Sequence, residues 1–146
     1  MRAGPPFFLA LFWLVIADIP FSGRALAGDL PGPVRGQVVR VIDGDSLEVT
    51  VMIWLDMWLT TKVRLADIDT PEIWRPACAK ERIVGEQAKA FTERFIGFGQ
   101  VQLFDIHYGK YAGRVVARVE NAKGQDLSQA LLAAGFGERD WCAADH

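Results

Sequence analysis

The chain has 146 residues, 51% hydrophobic and 23% charged, with a formal net charge of -2; this is the balance of one soluble globular domain carrying an extra segment. An acidic total argues against tight non-specific coating of DNA, because phosphate contacts dominate such affinity, and leaves room only for a local basic cleft. No internal repeat or low-complexity tract interrupts the chain.

The extra segment comes first. "MRAGPPFFLALFWLVIADIPFSGRALAGDL" begins with Arg2, runs apolar from Phe7 to Ala17 and closes in Ala25-Leu26-Ala27. A short apolar core followed by an A-x-A site predicts a secretory signal peptide over residues 1–27, cut before Gly28. The run is too short for a membrane span, which takes about 20 apolar residues. Residues 28–146 are then the exported domain, periplasmic or secreted, with no stable membrane span after cleavage. Losing Arg2, Arg24 and Asp18 removes two positive charges and one negative, which moves the net charge from -2 to -3. Cys78 and Cys142 form an even pair in a chain bound for an oxidising compartment, so a disulfide is the default expectation. Two separated thiols, or a two-cysteine metal site, are the alternatives, since spacing alone does not bring two Cα atoms together.

Past the Pro/Gly-rich lead, "QVVRVIDGDSLEVTVMIWL" alternates and is rich in β-branched residues, predicting two strands joined at Asp43-Gly44-Asp45. A third strand, "TTKVRLADI", follows the "WLDMWLT" segment and is ended by Pro71. Trp54 and Trp58 suit ordinary core or hairpin packing, with a long hairpin arm as the other use. "GEQAKAFTERFIGF" puts Ala88, Phe91 and Phe95 at helical spacing, closed by Gly97 and Gly99. "QVQLFDI" and "RVVARVE" are strands around the polar loop "HYGKYAG", where His107 is expected at the surface. "DLSQALLAAG" predicts a helix capped by Asp126 with Gln129 reaching back, and stopped by Gly135. The order β-β-β-α-β-β-α predicts a β-rich α+β fold, a closed five-stranded OB-fold barrel with two or three flanking helices.

Three charged clusters fall at strand ends: Asp43 and Asp45 in "DGDS", then "VRLADIDTPE", then Lys110 and Arg114 in "KYAGR". Loops from separate strands of a small barrel converge on one face. Carboxylates at the density of Asp67, Asp69 and Glu72 repel one another and need compensation. A hard cation takes carboxylate and carbonyl oxygens, which Asp45, Asp69 and the Thr70 carbonyl supply. Glu72 is left to accept a proton from water, and Arg64 and Arg114 to grip phosphate oxygens. Singly, each motif is more often a plain turn or a solvated charge; their succession carries the reading.

That succession, "VIDGDSLEV", "VRLADIDTPE", "GEQAKAF", "KYAGRVVARV" and "DLSQALLAAGF", resembles the motifs of the staphylococcal nuclease-like (thermonuclease) family from Gln37 to Gly137. The resemblance implies an OB-fold endonuclease, a hydrolase that cleaves phosphodiester bonds of DNA or RNA with Ca²⁺ as cofactor. It implies Asp45, Asp69 and Thr70 as metal ligands, Glu72 as general base, Arg64 and Arg114 as the phosphate-binding catalytic arginines, and Lys110 and Tyr111 at the nucleotide pocket. Such a protein is expected to be a monomer with nucleic acid as its partner. A Cys78–Cys142 bridge would tether the C-terminal tail near the Glu72 loop.

The chain also departs from the family pattern. Ala112 adds a residue to the "KYGR" form, Ser46 replaces a common threonine, and Asp67 adds a carboxylate. The tail "GERDWCAADH" lacks nucleotide-binding tyrosines, which leaves Trp141 to stack on a base. The acidic balance predicts weak, salt-sensitive substrate binding. Two other readings compete: a non-catalytic OB-fold module that binds nucleic acid or a partner, and an accessory protein using "MIWLDMWL" as a partner surface.

Overall fold

The computed structural model describes residues 28–97, 99–110, 113–137 and 139–143. The expected signal peptide, residues 1–27, lies outside the described residues, as do Tyr111 and Ala112. In chain order the elements are β1 (Val34–Asp43), β2 (Ser46–Trp54), β3 (Met57–Leu65), α1 (Ala79–Ile96), β4 (Gln100–Tyr108), β5 (Arg114–Asn121) and α2 (Leu127–Ala133).

Period-two patterning decides which way each strand faces. Leu47, Val49 and Val51 of β2, Val63 and Leu65 of β3, and Ala117 and Val119 of β5 are buried, while their neighbours look outward. Five such strands close into a barrel in the order β1-β2-β3-β5-β4, with β1 bonded back to β4. All contacts are antiparallel except β3 with β5. That parallel pair needs a long crossover, which α1 and β4 provide. Leu127 and Leu131 of α2 are buried in the same core as Leu47 and Leu65, each buried leucine contributing about 1.5–3 kcal/mol. Ala88 and Ile96 set α1 against the same core, and Phe91 meets Phe136, ring centroids 5.7 Å apart. The five-stranded OB-type barrel with two helices is the fold that the sequence predicts. Among the described residues no helix is long and apolar enough to cross a membrane.

Several local expectations are corrected. Helix α1 starts at Ala79, six residues before Gly85, because its cap is Cys78, whose sulfur accepts from the Glu81 N–H at 3.5 Å. A cysteine cap carries no sequence signal of the Ser/Thr/Asp/Asn kind. The third strand stops at Leu65 and does not reach Ile68, since Asp67 takes a left-handed conformation, φ 60°. β4 runs through His107, so that residue is on a strand, exposed, with Nδ1 2.9 Å from the Asp105 carbonyl. Trp54 and Trp58 are not core residues; both stand exposed on a hairpin arm. Asp126 caps α2 as expected, accepting from the Gln129 N–H at 2.8 Å. Cys78 and Cys142 are bridged, Cα atoms 5.8 Å apart, so the default expectation for the cysteines holds.

Candidate active site

The turn between β1 and β2 is seated before it is functional. Gly44 is packed so tightly that a Cβ there would lie 2.7 Å from Thr70 Oγ1 and 2.9 Å from the Ala88 methyl. From α1, the buried Thr92 hydroxyl donates to the Gly44 carbonyl at 2.7 Å. Helix, turn and the Thr70 loop are thus one packed unit, which fixes the direction of the next side chain.

That side chain is Asp45, only 2% exposed. A buried carboxylate needs partners on both oxygens, and it has them. Oδ1 accepts from Arg64 Nη1 at 2.8 Å and from the Ser46 hydroxyl at 2.9 Å; Oδ2 accepts from the Thr70 N–H at 2.8 Å. Arg64 stands on the outer face of β3 opposite Ser46. Its other terminal nitrogen, Nη2, pairs with Asp69 and also lies 3.5 Å from the Ile68 carbonyl. The left-handed Asp67 turns the chain after β3 so that Asp69 and Thr70 come back onto Arg64. A non-glycine residue with positive φ is most readily Asp or Asn, which accounts for the extra carboxylate.

The sequence marks Asp43 as a turn residue and, with Asp45, as one of the clustered carboxylates of "DGDS", and assigns it no ligand or catalytic role. It is largely buried, with Oδ1 lacking any hydrogen-bond partner. Burial first, and repulsion by Asp45 second, push its carboxyl up to about 6.

The remaining expected residues surround this centre unevenly. Glu72 is exposed two residues beyond Thr70 and joins none of the hydrogen bonds around Asp45. Its backbone N–H donates to Glu81 Oε1 at 3.4 Å, and Glu81 also accepts from the Ala77 N–H. Glu81, in the first turn of α1, is a loop-holding residue that the sequence reading missed, because the start of the helix was missed. Arg114 opens β5 opposite Lys62, and Val116 pairs with Arg64, so Arg114 and Arg64 belong to the same outer face of two parallel strands. Lys110 is exposed beyond β4. Trp141 is buried with the Arg139 guanidinium 3.7 Å over its ring; that covered ring is not the free stacking surface expected of it.

Arg64, Asp67, Asp69 and Val116 line an open cleft of about 450 Å³. Larger concavities lie elsewhere on the barrel, but they lack this charge constellation. Among the described residues no three acidic, histidine or cysteine side chains close into a metal cluster. The positive charge between Asp45 and Asp69 is the Arg64 guanidinium. The donors at Asp45, Asp69 and Thr70 are nevertheless all oxygen, and Asp43, two residues before Asp45, has one oxygen with no hydrogen-bond partner. That chemistry fits a hard divalent cation.

Residues 62–141 match the family model described as staphylococcal nuclease homologue. The match takes in Arg64, Asp69, Thr70, Glu72, Lys110 and Arg114, and begins after the Asp43–Asp45 turn. The chain is also 28% identical over 115 residues to a protein of Escherichia coli called an uncharacterized endonuclease, covering 79% of this chain and 64% of that one. A protein of Escherichia coli O157:H7 with the same description is similar to the same extent. The chain thus spans less than two thirds of the length of these relatives.

Proposed function

The chain belongs to the staphylococcal nuclease homologue family, and from that premise we propose that it is an exported nuclease hydrolysing phosphodiester bonds of DNA or RNA. The observation that carries the reading is the Asp45–Arg64–Asp69 arrangement, an arginine on an open cleft held between two carboxylates. The relatives' description as endonucleases favours internal cleavage.

In this reading Asp45, Asp69 and the Thr70 carbonyl would hold Ca²⁺. An ion held there would supply positive charge to polarise a phosphate oxygen and to ease deprotonation of the attacking water. Glu72, exposed and therefore able to meet solvent, takes the water's proton. Arg64 releases Asp69 more readily than Asp45, because the Asp69 side chain is 61% exposed and that of Asp45 only 3%. The freed half of its guanidinium turns to the phosphate while the Asp45 bond keeps it aimed. Arg114, on the same face, grips a second oxygen, and both stabilise charge as phosphorus becomes five-coordinate. Lys110 and Tyr111 border the nucleotide. Export rests on the residues 1–27 pattern, and the disulfide accords with an oxidising compartment.

The test is cleavage of single-stranded DNA, duplex DNA and RNA by the disulfide-intact protein, with Ca²⁺ and with chelator, beside Glu72→Gln. The expected result is Ca²⁺-dependent cleavage that the substitution lowers by about 10²–10⁴-fold. No cleavage by the folded protein at low or moderate salt would replace the nuclease with a binding module.

A further inference from the structure

The nuclease reading uses one end of the β2–β3 hairpin and leaves its other end without a role. Among the described residues, β2 pairs with β1 as far as Val51 and β3 with β5 from Lys62. The arm between those limits is a built element. Met52 pairs with Trp58 and Trp54 with Met57, and the Thr50 and Thr60 hydroxyls meet at 2.8 Å across the strands.

Both of its faces are apolar. Met52, Ile53, Met57 and Leu59 are about half exposed, Trp58 is 60% exposed, Trp54 71% and Leu55 78%. Asp56 at the turn is the one charge among them. Scattered apolar side chains on a surface need no explanation, but a contiguous set marks an interaction site. The set also continues beyond the arm. Ile53 and Leu59 line a concavity of about 730 Å³ that runs over Val34, Ile106 and Val115 to the exposed Leu30 and Tyr108.

We propose that the surface of a lipid bilayer covers the arm and this concavity, with the arm lying in the headgroup layer. The occupant has to meet two opposite faces of one hairpin. A folded protein lies against one of them, and a nucleic-acid strand would use one aromatic face and meet Asp56; the interfacial layer of a bilayer surrounds both. Tryptophan and tyrosine suit that layer, since each has an apolar body and a polar tip. The course of the chain points to the same occupant. Gly28, the first described residue, lines the concavity, so residues 1–27, with their apolar run from Phe7 to Ala17, join the domain at this end. A leader held in a bilayer brings the arm to that same surface. The charge on Asp56 and the polar backbone of a two-stranded ribbon keep the arm at the hydrated boundary, about 5–10 Å deep, and out of the hydrocarbon core. β2 runs from Ser46, beside Asp45, to Trp54, a span of up to roughly 25 Å at 3.3 Å per residue. The cleft that carries Arg64 and Asp69 therefore stays in water. The proposal is independent of the nuclease reading.

The test is partition of the disulfide-intact protein, its N-terminus read by intact mass, into phosphatidylcholine vesicles, followed by flotation and by fluorescence quenching with brominated lipid. A chain beginning at Gly28 is expected to float with the vesicles and to stay bound at high salt, because apolar burial drives the partition. Brominated lipid should quench Trp54 and Trp58, so the quenched share of the emission falls in Trp54→Phe/Trp58→Phe and not in Trp74→Phe. Trp54→Ser/Trp58→Ser should lower the partition coefficient at least about thirtyfold with an unchanged melting temperature. In a chain that keeps residues 1–27 the apolar leader binds vesicles by itself, and the quenching of Trp54 and Trp58 decides. A chain beginning at Gly28 that stays in the aqueous phase, partition indifferent to the serine substitutions, or unquenched Trp54 and Trp58 overturns the proposal. So does a lipid-free dimer that Trp54→Ser/Trp58→Ser dissociates, which assigns the arm to a second copy, or quenching of the same two tryptophans by oligothymidylate, which assigns it to nucleic acid.

Discussion

Asp45 and Asp43 sit two residues apart in one turn and meet opposite fates. Asp45 has three donors on its two oxygens, whereas Asp43 has an oxygen with none. Removing Arg64 takes away the cation beside a buried carboxylate. Arg64→Ala is therefore expected to destabilise the fold by about 3 kcal/mol, the low end for a broken buried pair, and urea denaturation reads it. Arg64→Lys should recover part of that stability, but not the simultaneous hold on Asp45 and Asp69. Asp43 predicts a pH effect of definite sign. Its carboxyl titrates near 6 in the fold and at the ordinary 3.8 when unfolded, so between those values the native state binds more protons. Stability then falls as pH rises from about 4 to about 6, and stays lower above that. Discounted for partial exposure, the loss is on the order of 1–2 kcal/mol. Asp43→Asn should remove that slope from the melting temperature measured between pH 4 and pH 7; an unchanged slope would show that Asp43 ionises freely. At this scale the charged residues were legible in the sequence because motif and chemistry point the same way. Their partners were not: the Thr70 N–H on Asp45 spans 25 positions, and Glu81 under the Glu72 loop waited on knowing where a helix begins.

The element that organises the site is α1, although it contributes none of the expected catalytic side chains. It presents Gly85 to the loop that carries Glu72, where a Cβ would come 2.6 Å from the Pro71 carbonyl and 3.0 Å from Ile73. Alanine in a helix interior ordinarily stabilises by up to about 1 kcal/mol over glycine. Here a backbone oxygen blocks the methyl, and that term is expected to lose. Gly85→Ala should cost about 1–2 kcal/mol as an overpacked contact and lower cleavage by pushing the Thr70–Glu72 segment away from Asp45. Thermal unfolding and a cleavage assay on one preparation check both, and a variant more stable than the parent would show that the loop yields. The helix itself was visible from Ala88, Phe91 and Phe95. Its first turn was not, because the apolar period begins later than the hydrogen bonds and a cysteine caps it. The β2–β3 hairpin shows the converse limit. Alternation continues past Val51 into Ile53 and Leu59, so a pattern that means burial on the barrel is carried out onto the exposed arm.

For the whole molecule, the Cys78–Cys142 bridge joins the cap of α1 to the C-terminal tail across a separation of 64 residues. In the chain-entropy model a loop of that length stabilises by about 4 kcal/mol. Reduction should therefore lower the denaturation midpoint substantially, and the tail anchored by Trp141 should loosen with it. Equal midpoints with and without reductant would mean that the tail contributes nothing to the barrel. The bridge also ties the segment following Glu72 to the far end of the chain, so reduction is expected to lower cleavage before the barrel unfolds.

By itself the sequence determined the element order, the closed five-stranded barrel and the residue types of the candidate site. Period-two and helical patterning, turn residues and local motifs are properties of neighbours in the chain, and they are readable without tertiary contacts. Only the tertiary structure decided that one guanidinium bridges Asp45 and Asp69, that burial leaves one oxygen of Asp43 without a partner, that Trp141 lies under Arg139, and that the hairpin tryptophans are exposed. The guanidinium bridge depends on which distant segments share space, and the burial of Asp43 and Trp141 and the exposure of the hairpin are fixed by packing, with side-chain identity setting only what each contact is worth.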